Sequence, residues 1–193
     1  MSSVVISGDT SGSIAVTAPA VAGSNTFTLP AATGTAELIG LGTAVASTSG
    51  TAIDFTNIPS WAKRITVILA GVSTSGTSAP LIQVGSGSIA TTGYVTMGNR
   101  VSQASGSAGN SATNGFTFPT IQNAGDLISC TLQINLISGF VYVGTLSGKF
   151  NTNNAVIGGG DVTLSGLIDR VRVTTTNGTD TFDAGSINIM WEG

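Results

Sequence analysis

Charge is scarce in this sequence. Only 8% of its 193 residues are Asp, Glu, Lys or Arg, whereas a typical soluble domain has about 25%. Histidine is absent, which excludes the Ser-His-Asp and Cys-His catalytic arrangements. Zinc sites built from His or from several Cys are excluded too, because the chain has a single cysteine. The composition is therefore typical of a structural or binding protein.

The nine carboxylates form no recognisable catalytic pair. A glycosidase needs two carboxylates facing each other across a cleft. Asp180 and Asp183 are neighbours in sequence, but odd spacing on a strand directs them to opposite faces; a pair formed between adjacent strands stays open. The stretch Gly158–Asp161 lacks the Lys and Ser/Thr of a phosphate-binding loop and is predicted as a turn. We expect no enzymatic activity, no catalytic residues, no cofactor and no metal.

Basic clusters and long apolar runs are also missing. The six basic residues are dispersed, so the sequence lacks the concentrated positive face that nucleic-acid binding requires. The stretch Cys130–Leu146 is interrupted by polar residues, and a membrane-spanning helix needs about 20 mostly apolar residues. We expect no membrane insertion. The first residues have neither a basic region nor an apolar core of signal-peptide length, which predicts assembly in the cytoplasm.

Two short features have simple structural interpretations. Cys130 has no partner for an internal disulfide and is predicted to be a buried, inert thiol. Asn177–Thr179 matches a glycosylation sequon, but without a secretory route the Asn-Gly pair is better explained as a hairpin turn.

What the sequence does contain is Ser, Thr, Asn and Gly alternating with Val, Ile, Leu and Phe. Strict alternation over Thr131–Leu136 and Ser186–Trp191 predicts strands with one buried face. Stretches of helical periodicity are lacking. The predicted fold class is all-β: a short-strand oligomerising and anchoring segment, then an antiparallel, jelly-roll-like β-sandwich. Expected strands include Asn25–Leu29 in the first part and Leu127–Ile137 in the second.

The composition predicts three parts. Residues 1–43 read as short hairpins, which cannot be stable alone and must pack on another surface; intertwining with symmetry mates is favoured over packing on the C-terminal domain or on another protein. Residues 44–51 form a Ser/Thr/Gly linker. Residues 52–193 carry strands at sandwich-like intervals.

A Gly/Ser/Asn-rich stretch between Thr91 and Asn114 is predicted to be a long loop, either a binding surface or a tolerated insertion. Tyr94, Asn99 and Arg100 on it are candidate binding residues. Trp61 is a further candidate, because an exposed Trp stacks on sugar rings, although a Trp at a turn more often caps a core or fills an interface.

Two segments resemble a known family. Ser7–Thr35 follows the pattern GDTSG-strand-AP-x-VAG-x-strand-LP-x-x-TGT, which is similar to a segment recurring in tailed-bacteriophage fibre and appendage proteins. Ile53–Val67, with Gly71–Ser78 after it, resembles a domain often found behind that segment. The resemblance covers about the first 80 residues. It implies a trimeric, β-rich virion component without enzymatic activity.

Within this class, two roles remain open. The first is a homotrimeric capsid decoration (a cement or head-fibre protein) that binds other virion proteins through its N-terminal segment; the short length of the chain favours it. The second is a short tail fibre or adhesin that binds host surface polysaccharide through the stretch from Thr91 to Asn114. Outside this class, a free carbohydrate-binding module and a β-fold depolymerase are the alternatives, the depolymerase ranking last.

Overall fold

The computed structural model describes residues 3–7, 10–17, 38–102, 106–121 and 123–193. The chain divides into two compact units, Met1–Ala36 and Glu37–Gly193. The expected strand Asn25–Leu29 lies outside the described residues. Over the described ranges the secondary structure is all-β, without a helix, so the all-β part of the prediction is confirmed.

The first unit contains one antiparallel hairpin in its described part. Its strands are β1 (Ser3–Ser7) and β2 (Ser13–Thr17). The register places Val4 opposite Val16 and Ile6 opposite Ile14. Gly12, immediately before β2, has a φ of 80°, a backbone conformation that glycine adopts without steric cost.

The second unit contains two antiparallel sheets. The larger one has the order β10-β9-β14-β13-β12-β6-β16-β3, with β4 also pairing with β16. Its strands are β3 (Ile39–Leu41), β4 (Val45–Ala46), β6 (Arg64–Thr74), β9 (Tyr94–Ser102), β10 (Gly106–Ala112), β12 (Ile128–Ser138), β13 (Val141–Phe150), β14 (Asn154–Thr163) and β16 (Phe182–Glu192).

The smaller sheet has the order β11-β7-β15-β5, with β8 pairing with β7. Its strands are β5 (Ile53–Thr56), β7 (Pro80–Ser86), β8 (Ser88–Ile89), β11 (Phe116–Thr117) and β15 (Arg170–Thr175).

The two sheets of this unit share one hydrophobic core, as in a β-sandwich. Leu132 and Ile134 from the larger sheet are fully buried, and so are Val171 and Val173 from the smaller one. All four belong to the same cluster of packed side chains. The intervening residues on β12 are exposed, as Thr131 is, or half-buried, so the alternation in the sequence corresponds to the two faces of the sheet.

The boundary between the units differs from the expected one. β3 and β4, which lie within residues 38–46, pair with β16 of the sandwich. Ser47, expected in the linker, is fully buried, and its hydroxyl donates a hydrogen bond to the Ala184 carbonyl at 2.8 Å. The C-terminal unit therefore begins near residue 37, because β16 offers an edge on which these short strands can pair.

The turn predicted at Gly158–Asp161 is wrong, because these residues lie inside β14. The glycines allow close backbone packing. A Cβ on Gly158 would collide with the Met97 carbonyl oxygen, and a Cβ on Gly159 would lie 2.6 Å from the Gly144 carbonyl oxygen. Gly in a strand interior often marks such a close approach.

Candidate functional site

The hairpin of the first unit has one apolar face. Cross-strand partners and alternate residues share a face of a β-ribbon, so Val4, Ile6, Ile14 and Val16 lie together. Their exposed fractions are 64%, 60%, 70% and 60%, respectively. We call these four side chains the hairpin apolar face.

The opposite face of the hairpin is mostly polar. Val5 and Ala15 face each other there, and the neighbouring pair, Ser7 and Ser13, contributes two hydroxyl groups. The hairpin is thus amphipathic, yet its apolar side is exposed to solvent. Burying each of the four aliphatic side chains of the hairpin apolar face would contribute on the order of 1 kcal/mol or more. A two-stranded ribbon of this kind is marginally stable alone, so this face is suited to association.

The stretch from Thr91 to Asn114 is mainly a hairpin, so the prediction of a long loop is wrong. β9 and β10 pair in an unbroken register, with Arg100 opposite Ala108 and Asn99 opposite Gly109. β10 has the sequence Gly-Ser-Ala-Gly-Asn-Ser-Ala, which lacks the large apolar residues that mark a strand in sequence. Pairing with β9 overrides its low propensity.

Tyr94 is in the core, which corrects its expected role as an external aromatic contact. Its side chain is 1% exposed and its ring meets that of Phe116 edge-to-face, with centroids 5.5 Å apart. The hydroxyl accepts a hydrogen bond from the Val84 N–H at 2.9 Å and lies 3.1 Å from the Val84 and Ala90 carbonyl oxygens. Burial raises the pKa of Tyr94 to about 12, against a smaller lowering by the Val84 hydrogen bond. Tyr94 joins the sheets and offers no surface for a ligand.

Arg100 is also buried rather than displayed on a loop. It is 6% exposed, and its guanidinium carbon lies 5.5 Å from the centre of the Phe150 ring. Its Nε and Nη1 atoms have no hydrogen-bond partner, and neither has the buried Oδ1 of Asn99. Buried polar groups are nearly always hydrogen-bonded, so these adjacent residues are exceptional among those that the structure describes.

Trp61 is half-buried and packs against the hydrophobic core. It follows β5 at the turn before β6, and its carbonyl oxygen lies against the backbone of Gly193. The placement agrees with a Trp that caps a core, the commoner of the two sequence interpretations.

A polar groove lies beside β10. It has a volume of about 560 Å³ and adjoins a second recess of about 320 Å³, which shares Asn114 and Thr176 with it. Arg172 in the second recess is neutralised by Asp54 at 2.7 Å. The remaining lining is mainly hydroxyl and amide groups. The first groove is lined by Val95, Thr96, Asn110, Ser111, Ala112, Thr113, Asn114 and Thr176.

Several carboxylates are occupied by structural contacts. The Asp180 carboxylate accepts hydrogen bonds from the Ser78 N–H at 2.9 Å and from Asn177 Nδ2 at 2.7 Å. Asp180 precedes β16 and is not on a strand, so the premise that Asp180 and Asp183 are spaced along one strand is wrong. Asp169 accepts from Arg170, and this hydrogen bond is the main cause that lowers the pKa of Asp169. Within the described ranges, no group of three or more His, Cys, Asp or Glu side chains is arranged to hold a metal ion.

Cys130 is buried, as predicted. Burial raises the pKa of its thiol to about 12, which keeps the nucleophilic thiolate form rare at neutral pH. The part of the chain that the structure describes has no helix long and apolar enough to cross a membrane.

Comparison with known proteins returned no matching family model, no similar curated protein and no similar solved structure. The assignment of function therefore depends on the sequence and on the geometry described above.

Proposed function

We propose that this chain is a non-enzymatic structural protein of a bacteriophage virion, a homotrimeric capsid decoration that binds the particle through its N-terminal segment and projects the β-sandwich. The hairpin apolar face carries this proposal. A ribbon with Val4, Ile6, Ile14 and Val16 more than half exposed gains stability when other surfaces bury them. In a closed homotrimer, three such faces meet around one axis.

The low charge of the chain supports the same proposal. Burying an ion in an interface costs several kcal/mol unless it is well paired. The described residues of the hairpin, 3–7 and 10–17, contain no charged side chain. Their association therefore carries no such cost, and the similarity of the N-terminal pattern to phage appendage proteins supplies the virion context.

The test is immunogold electron microscopy of the phage particles whose genome encodes this chain. We expect gold at regular positions on the capsid, and particles lacking the chain should lose DNA at a lower temperature than complete ones. Gold confined to the tail would contradict the decoration role, and unlabelled particles would contradict a virion role altogether.

A second candidate function is a tail-associated adhesin for host surface glycan, and the polar groove favours it. Neutral sugars are bound by hydroxyl and amide groups, and Asn114, Thr113 and Ser111 supply these groups along about 560 Å³ of open space. An Asn114→Ala, Thr113→Ala double variant should reduce adsorption of particles to host cells if this function holds. Unchanged adsorption would exclude the groove as the receptor site.

A further inference from the structure

Within the second unit, the free edge of β10 differs from the other sheet edges among the described residues. Proteins protect edge strands with charge, proline, bulges or short length. β3, β4, β8 and β11 have three residues or fewer, and β5 carries the ion-paired Asp54. β10 has seven residues without charge, proline or register shift. Its outer backbone groups are available to an additional strand.

Two orphaned polar groups lie behind this edge. Arg100 is on the inner face of β9 opposite Ala108, and Asn99 is on the outer face opposite Gly109. The small residues on β10 leave little between these side chains and an added strand. A Cβ on Gly109 would lie 3.8 Å from the Asn99 Cγ atom and 3.9 Å from its Oδ1 atom, so the Asn99 amide group lies beside β10. A groove of about 370 Å³ passes over the same strand, along Asn99 and Gly109.

The unpaired atoms of Arg100 and Asn99 determine which side chains an added strand must carry. Arg100 presents unsatisfied N–H donors with a positive charge on one face, which a carboxylate satisfies best. The Asn99 Oδ1 atom is an acceptor on the other face and requires a hydroxyl or amide donor. Adjacent residues of a strand point to opposite faces. An added strand therefore meets both needs with an acidic residue directly next to a Ser, Thr, Asn or Gln.

We propose that β10 is a docking edge for an extended segment of a partner protein, and that the segment carries an acidic residue for Arg100 beside a hydroxyl or amide residue for Asn99. Main-chain hydrogen bonds to β10 would provide affinity, and the two side-chain contacts would provide specificity, as in other cases of strand addition. This proposal uses none of the residues of the hairpin apolar face and does not depend on trimer formation.

The experiment uses a blocked synthetic peptide, Thr-Val-Thr-Asp-Thr-Val-Thr, as the probe. Its sequence reads the same in both directions, so it presents Asp on one face and Thr on the other whichever way it docks. It is titrated to millimolar concentration into the ¹⁵N-labelled full chain. We expect shifted and exchange-protected amides over residues 106–112. Replacing Asp by Lys in the peptide should weaken binding roughly tenfold or more.

Protein variants locate the charge contact. Arg100→Met keeps a long side chain against Phe150. This variant should bind the Asp peptide roughly tenfold or more weakly than the native chain does. Lys149→Met, which removes an exposed cation elsewhere on the sheet, should leave binding unchanged. The Asp and Lys peptides are compared on the native chain, so this comparison does not depend on whether a protein variant folds. Equal binding of the Asp and Lys peptides, shifts located away from β10, or absence of binding would each overturn the proposal.

Discussion

At the scale of single residues, burial of Tyr94 causes the free energy of unfolding to decrease at alkaline pH. Its pKa in the folded chain is about 12, above its ordinary value of 10.0, so the folded state holds the phenolic proton more tightly than the unfolded state does. The stabilising contribution is complete below pH 10 and is lost as the pH rises from 10 toward 12. Burial of Tyr142, which also raises its pKa, acts in the same direction.

We therefore predict that Tyr94→Phe lowers the free energy of unfolding at pH 8 by about 1–2 kcal/mol, because the Val84 N–H loses its partner. Between pH 9 and 11.5 the variant should lose less stability than the native chain. Urea midpoints measured across this range provide the test. Parallel pH profiles for the two proteins would show that Tyr94 does not titrate as inferred.

Arg100 gives the second prediction at this scale. A buried cation whose Nε and Nη1 lack partners carries an uncompensated desolvation cost. Arg100→Met should leave the isolated chain as stable as the native one or raise its melting temperature by a few degrees. Arg100→Lys should lower the melting temperature, because lysine keeps the buried charge but loses the planar contact with Phe150. A marked loss of stability in Arg100→Met would mean that the cation is satisfied in solution.

At the scale of elements, glycines set the distance between the two sheets. A Cβ on Gly98 of β9 would collide with the Thr117 carbonyl oxygen and lie 2.6 Å from the carbonyl carbon of Phe118. By contrast, the nearest atom to a Cβ on Gly109 of β10 is 3.6 Å away, an ordinary contact.

We predict that Gly98→Ala destabilises the sandwich by about 1–3 kcal/mol, as overpacking does, while the matched variant Gly109→Ala changes stability by less than about 1 kcal/mol. Chemical denaturation of both variants tests the difference. Equal effects would show that the approach of β11 to β9 is not limited by the glycine.

Strands in which apolar and polar residues alternate strongly could be predicted from the sequence, and the other strands could not. β12 over Thr131–Leu136 and β16 over Ser186–Trp191 have apolar residues at every second position, so these segments were expected to bury one face. β10 and the glycine run of β14 lack that signal, because their pairing comes from neighbouring strands and from close backbone packing. For the same reason Tyr94 and Arg100 were expected on a loop, whereas the hairpin makes both side chains part of the interior.

The candidate site was predictable only in its general location. The need for the N-terminal segment to pack on another surface follows from its short strands, but the hairpin apolar face depends on the register that pairs Val4 with Val16 and Ile6 with Ile14. A shift by one residue would mix the two faces. The orphaned polar atoms of Asn99 and Arg100 depend on tertiary packing, which the sequence pattern does not encode locally.

At the scale of the whole molecule, neutrality and the exposed hairpin belong to one account, in which the chain is a component of an assembly. The sandwich buries a sufficient core of its own, with Leu132, Ile134, Val171 and Val173 fully enclosed. Residues 4–7 and 13–17 of the hairpin are all exposed. Association through the hairpin should therefore be separable from folding of the sandwich.

The most direct test of this account is the molar mass of the full chain in solution, measured by size-exclusion chromatography with light scattering at micromolar concentration. We expect three times the mass of one chain, 19.1 kDa. The double variant Ile6→Ser, Ile14→Ser should give the mass of a single folded chain, while Val5→Ser on the opposite face should remain trimeric. A native chain that elutes as a stable monomer, or a double variant that stays trimeric, would contradict the account.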